Sequence, residues 1–270
     1  MSQEKIEELM LEAEDAISDG VLEDAIALFS QVLDLDPRHV AAYVQRGMVL
    51  HDMGESDEAI KDFDEALRLD PNNTEAYWAR GIARDELDDI PGAIADFTKA
   101  LELDPQFSDA YYQRGVLYLD QEQFDEAIAD FGEMIVLEPD DPEGYYQRAV
   151  TYNMKGDFAK AIADANAALE LDPEEIDFYA CRAEANFCMG NFSEAIADFE
   201  EAYEAEPDNP YIIAGLAVAK HADGERAEAY DLWRFLTEIE ASFSDPDWVA
   251  GILNWAPALT AETRKLVAGL

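Results

Sequence analysis

The sequence predicts an all-α solenoid of seven helix-turn-helix repeats, followed by capping helices at the C-terminal end. Three observations predict it. Prolines stand at 37, 71, 105, 139, 173 and 207, one every 34 residues. Ten residues after each comes a small residue: Gly47, Gly81, Gly115, Ala149, Ala183 and Ala217. An alanine keeps the same period at 25, 59, 93, 127, 161, 195 and 229, and four residues beyond it stand Phe29, Phe63, Phe97, Phe131, Ala165, Phe199 and Trp233.

Each unit reads as two helices. In the second repeat Ala42, Tyr43, Gly47 and Leu50 follow helical spacing, residues 53–56 interrupt it, and Ile60, Phe63 and Leu67 resume it. Gly20, Gly54, Gly156, Gly190 and Gly224 sit where a first helix must end with positive φ. Pro91 opens a second helix, where its missing N–H does no harm. One such hairpin cannot bury its apolar face, so neighbours must stack. The expected repeats are 6–39, 40–73, 74–107, 108–141, 142–175, 176–209 and 210–243, an array over 1–243, with a capping segment at 244–270.

The period and its marks resemble the tetratricopeptide repeat family. In the second repeat the marks are Tyr43, Arg46, Gly47 and Leu50, then Ala59 with Phe63, then Pro71; the match covers about 6–243. The resemblance implies a right-handed superhelix that binds extended peptides or partner helices on a concave face formed by the first helices.

One correlation shows how a repeat is held. The residue before the small position is Arg46, Arg80, Arg114, Arg148 or Arg182, and the residue before the aromatic position is Asp62, Asp96, Asp130, Asp164 or Asp198. The seventh repeat loses both charges together, to Leu216 and Leu232. An antiparallel hairpin sets the two sites opposite each other, so an intra-repeat Arg–Asp pair is expected.

Composition excludes several function classes. There are 62 Asp and Glu against 18 Lys and Arg, a net charge of −44. Such a chain repels nucleic-acid phosphates and anionic membrane surfaces. It has no run of eighteen apolar residues, no apolar leader-like start, and only two cysteines. A soluble, cytoplasmic acidic protein is expected, with neither nucleic acid nor membrane as partner. The acidity has a competing explanation, adaptation to a salt-rich cytoplasm.

On the resemblance, the ligand groove carries Val44, Trp78, Tyr112 and Tyr146, with the amides Gln45, Gln113 and Gln147 beside them. Glu75, Asp109, Glu143 and Asp177 flank it at the start of each first helix, and Asp52, Glu86 and Asp120 toward its end. A groove of aromatic and amide floor with acidic flanks suits a segment in which Lys or Arg alternates with apolar anchors. The alternative is that the aromatics stack repeat on repeat and the acids are a solvated face. The clamp by which some family members grip chaperone C-termini needs Lys, Asn and Arg, and the matching positions hold Met10, Glu14, Gln45, Glu75 and Ala79. Chaperone tails are therefore not expected as ligands.

No catalytic site, cofactor or metal is expected: His39, His51 and His221 are far apart, and no phosphate loop or nucleophile motif occurs. Cys181 and Cys188, two turns apart on one helix, read as small groove or core residues. The function read from the sequence is a non-catalytic interaction scaffold binding a basic and apolar peptide or partner helix. The alternative is a regulatory or substrate-recruiting subunit of an enzyme on another chain. Trp248, Ile252, Trp255 and Leu259 make the C-terminal segment apolar enough to pack on the seventh repeat, with a homodimer contact as the alternative.

Overall fold

The computed structural model describes residues 2–253 and 255–270. Among these there are sixteen α-helices and no strand. The helices fall into two compact units, Met1–Gln121 and Glu122–Leu270.

The first unit holds α1 (Ser2–Ser18), α2 (Leu22–Leu35), α3 (Val40–Asp52), α4 (Ser56–Leu69), α5 (Thr74–Glu86), α6 (Ile90–Leu103) and α7 (Ser108–Asp120). The second holds α8 (Phe124–Leu137), α9 (Pro142–Lys155), α10 (Phe158–Leu171), α11 (Ile176–Met189), α12 (Phe192–Ala205), α13 (Pro210–Asp223) and α14 (Arg226–Ile239). A 3₁₀ turn (Ala241–Ser244), α15 (Pro246–Leu253) and α16 (Pro257–Ala268) complete it. Within each unit every helix packs on the next, and first helices also touch: α3 on α5, α9 on α11, α11 on α13.

The Asp-Pro steps have a local cause. Asp36, Asp70, Asp104 and Asp172 end their helices in extended conformation, as the residue before a proline prefers. Each carboxylate then accepts the backbone N–H two residues on, at 3.0, 3.1, 2.9 and 3.0 Å, an Asx turn around the proline. First helices end on a left-handed residue. Gly20, Gly54, Gly156, Gly190 and Gly224 supply it in five repeats, whereas Asp88 (φ 62°) and Glu122 (φ 57°) adopt it in the other two, against the preference of an L-residue.

Small and aromatic positions meet. A Cβ added to Gly47 would lie 2.6 Å from the Phe63 ring, and one added to Gly81 2.6 Å from Phe97. The ring is fully buried against bare backbone in both cases. Where the small residue is Ala183, the Phe199 ring lies instead against Gly215 of the following first helix. Where it is Ala149, the ring is replaced by Ala165, and the two alanines share a small core cluster with Cys181.

The C-terminal segment departs from a simple end cap. Phe243 stacks edge-on with Trp233, whose indole N–H donates to the Phe243 carbonyl at 3.1 Å. Beyond it α16 packs against α13 and also against α11, so it lies on first helices of two repeats. Leu259 and Leu266 bury fully there, which is the physical reason for this docking; Ile252 stays exposed.

Candidate functional site

The arginines reach further than their own repeat. Arg46 holds both oxygens of Asp62 at 2.7 Å. Arg80 holds Asp96 at 2.8 and 2.6 Å, Arg148 holds Asp164 at 2.7 and 2.8 Å, and Arg182 holds Asp198 at 2.9 and 2.6 Å. These are bidentate, charge-assisted bonds. The remaining guanidinium nitrogen donates to the residue sixteen positions earlier: Arg46 to Ser30 at 2.9 Å, Arg80 to Asp64, Arg114 to Thr98 at 3.0 Å, Arg182 to Asn166 at 2.6 Å. Arg114 and Asp130 fall in different units. Arg46, Arg80 and Arg182 thus each tie the two helices of their repeat to the repeat before. In the seventh repeat, where Leu216 stands in the arginine's place, Lys220 takes the duty one turn later. Burial alone would lower its pKa, but Glu200, Glu225 and Glu228 at 2.8, 3.0 and 3.1 Å outweigh it and raise it.

In the first unit the expected groove residues divide. Val44 is 1% exposed and belongs to the core with Ala66, Leu67 and Ala76, so it is not a groove residue. A β-branched side chain at this position is short enough to be covered by the next first helix. Trp78 is half-buried, its ring 5.7 Å from Phe107 and packed on apolar neighbours of two adjoining repeats. Tyr112 and Gln113 are half-buried on α7. Glu75, Asp109 and Asp120 are exposed. Burial first, then the nearby charges of Asp120 and Asp88, raise the pKa of Asp85 on the same surface. Glu86 is committed internally, accepting from Ser56 and lying 2.9 Å from His51 Nδ1.

In the second unit the first helices enclose a cleft of about 670 Å³. Tyr146, Val150 and Asn153 come from α9, Asp177, Cys181 and Glu184 from α11, and Tyr211 from α13. Trp255 and Pro257 close one side. The Tyr146 ring lies 5.0 Å from Phe178, and burial raises the pKa of its hydroxyl. Gln147 donates to Glu143 at 2.8 Å beside the cleft. Burial pushes the Glu184 carboxyl up to about 8 and the Cys181 thiol well above its usual value, so Cys181 is an unreactive thiol.

The sequence reading missed Glu184, Asn153 and the placement of Trp255. A signal for Glu184 was available: its position in the 34-residue register holds Met48, Ile82, Val116, Val150 and Val218 in the second to fifth and seventh repeats, and Glu14 in the first. Glu14 is exposed, so a carboxylate inside the array at this otherwise apolar position breaks the pattern. His221 is buried and lies 2.7 Å from Glu262 of α16.

Models of the tetratricopeptide repeat match residues 40–73, 112–176 and 188–238, and a TPR repeat model matches 86–121. No curated protein matches the sequence. Among solved structures, a tetratricopeptide repeat protein from Parabacteroides merdae is similar over 98% of this chain and 99% of its own, with 20% identity and a TM-score of 0.66. The C-terminal part of a TPR repeat-containing protein from Cytophaga hutchinsonii covers 90% of this chain and 98% of its own, with 18% identity and a TM-score of 0.73. MamA from Desulfovibrio magneticus, residues 41 to the end, is 26% identical over 63% of this chain and 96% of its own, with a TM-score of 0.59. These likenesses agree with the repeat models on an α-solenoid, and such repeats indicate a protein–protein interaction scaffold. No described helix is long and apolar enough to cross a membrane. With its marks present in register, its helix pairs stacked and its repeats matched across most of residues 40–238, the chain belongs to the tetratricopeptide repeat family.

Proposed function

We propose that the protein is a non-catalytic scaffold whose first helices bind a partner segment carrying basic and apolar residues. The observation that supports this most is the cleft of the second unit, where aromatic rings from α9 and α13 stand beside carboxylates from α11. The exposed Glu75, Asp109 and Asp120 of the first unit present the same charge on α5 and α7. Buried aromatic anchors supply most of the affinity at such surfaces, and the acids steer the encounter and reject acidic competitors. The two cysteines are free, which suits a cytoplasmic setting. Because Trp255, Leu259 and Leu266 are buried within the chain, the C-terminal segment offers little surface to a second copy.

Affinity capture from the source lysate tests the proposal, with wild type compared with a Tyr146→Ala variant and a variant reversed in charge at Asp109 and Glu143. The expected outcome is a partner with a basic, apolar segment. Its capture should fall for Tyr146→Ala, and its association rate should fall for the charge-reversed variant. Capture that ignores both variants contradicts the proposal. Recovery of one stoichiometric enzyme would identify the scaffold as a regulatory or recruiting subunit.

A further inference from the structure

We propose that the cleft of the second unit takes one ammonium or guanidinium group on an apolar stem, seated between Glu184 Oε1 and Asn153 Oδ1 against the rings of Tyr146, Tyr211 and Trp255. The choice of a peptide as the source of that group rests on the function proposed above; the chemistry of the cleft does not.

Among the described residues, four buried side-chain polar atoms make no hydrogen bond: Trp78 Nε1, Asn153 Oδ1, Glu184 Oε1 and Trp255 Nε1. Three of the four belong to residues lining this one cleft. Folded proteins leave few such atoms, because each one left without a partner costs stability. Stability gives no reason for a buried Glu184, since five other repeats fill its position with Met, Ile or Val and the first carries an exposed Glu14. An unpaired carboxyl kept at that cost fits a site completed by a ligand.

The orphaned groups define the ligand. Asn153 Oδ1 is an acceptor and so is Glu184 once ionised, so a donating cation satisfies both. Asn153 already uses its Nδ2 on the Cys181 carbonyl at 2.8 Å, which fixes its oxygen as the free end. The rings can add cation–π attraction once water is excluded. Lys155 also lines the cleft, but Asp125 holds it. Trp255 Nε1 is a donor and needs an acceptor, which a peptide carbonyl beside a basic side chain provides.

The titratable groups around Glu184 are Glu122, Tyr146 and Lys155, then Asp177, Cys181 and Cys188 on its own helix, and Tyr211. Burial raises the Glu184 pKa to about 8, so at pH 7 the carboxyl is mostly protonated without a ligand. A cation that pairs with the carboxylate must therefore expel that proton to solvent.

The test is calorimetry on the full chain at pH 7, in two buffers of different ionisation enthalpy. The probes are hexylamine, hexanol, acetyl-Leu-Lys-Leu-amide and its norleucine counterpart. Each cationic probe should bind at least about tenfold tighter than its uncharged match and release up to one proton. Glu184→Gln should abolish both effects. Glu184→Met should abolish them too while raising the melting temperature, which shows that the loss is not unfolding. Equal binding of hexylamine and hexanol, or binding unchanged in Glu184→Gln, overturns the proposal. If the lysine peptide binds independently of Glu184, the cleft proposal fails and the partner reading survives. If hexylamine binds but the lysine peptide does not, the cleft takes a free amine and the partner reading fails.

Discussion

Arg182 grips both carboxylate oxygens of Asp198 in its own repeat and donates to Asn166 of the repeat before, so one side chain ties α10, α11 and α12 together. Both charges are mostly buried. Arg182→Leu alone should destabilise by about 3 kcal/mol, because it strands Asp198. Adding Asp198→Leu should recover much of that, as the natural Leu216 and Leu232 of the seventh repeat suggest. A denaturant-melt double-mutant cycle checks this, and simple additivity would remove the coupling.

Asp88 and Glu122 end first helices in the left-handed conformation that glycine supplies in the other repeats. Replacing either with glycine should stabilise the chain by about 0.5–1 kcal/mol, the relief of strain exceeding the added chain entropy. An unchanged or lower melting temperature for both variants would show that their side chains earn these positions in another way.

Phe199 lies against Gly215, so a methyl there must displace the ring. Gly215→Ala should cost about 1–3 kcal/mol despite its better helix propensity, and Phe199→Leu should restore part of it. A stabilised Gly215→Ala would mean that the ring has room to move.

Glu184 gives stability a pH dependence with a definite sign. Its folded pKa is raised from 4.5 to about 8, so the folded state holds the proton more tightly than the unfolded chain. Stability from this group is full below about pH 4.5 and is lost as pH rises toward 8. The melting-temperature gap between Glu184→Gln and wild type should therefore widen from pH 5 to 8.5. Comparing the two proteins cancels the general self-repulsion of the acidic chain. A constant gap would mean that the carboxyl does not titrate in this range.

Removing residues 245–270 should lower the melting temperature and solubility, since Trp255, Leu259 and Leu266 bury against the second unit. Circular dichroism and light scattering of the truncated chain check this, and an unchanged, monodisperse protein would contradict it.

The repeat was legible because its marks are local. Pro71, Gly47 and Phe63 each carry a steric reason that recurs at fixed spacing, and the pairing of Arg80 with Asp96 could be read from the shared loss of both charges at Leu216 and Leu232. The reach of Arg80 to Asp64 was not legible, because Ser30, Asp64, Thr98 and Asn166 share only the capacity to accept a hydrogen bond. The cleft was legible only in part. Tyr146 follows from the repeat register, but Glu184, Asn153 and Trp255 converge from different register positions and from a segment outside the repeats. Their meeting depends on where α16 docks, and no periodicity encodes that. Val44 shows the opposite error, since a register position that faces a groove in one repeat is covered by packing in another.

The most direct test of the central claim is hydrogen exchange of the full chain with and without an acetylated, amidated peptide of alternating Leu and Lys, with a Ser–Lys peptide of equal charge as control. The Leu–Lys peptide should bind more tightly and protect amides of α5, α7, α9 and α11. Equal affinity for the two peptides, or protection confined to the second helices α6, α8, α10 and α12, would contradict a first-helix site for a basic, apolar partner.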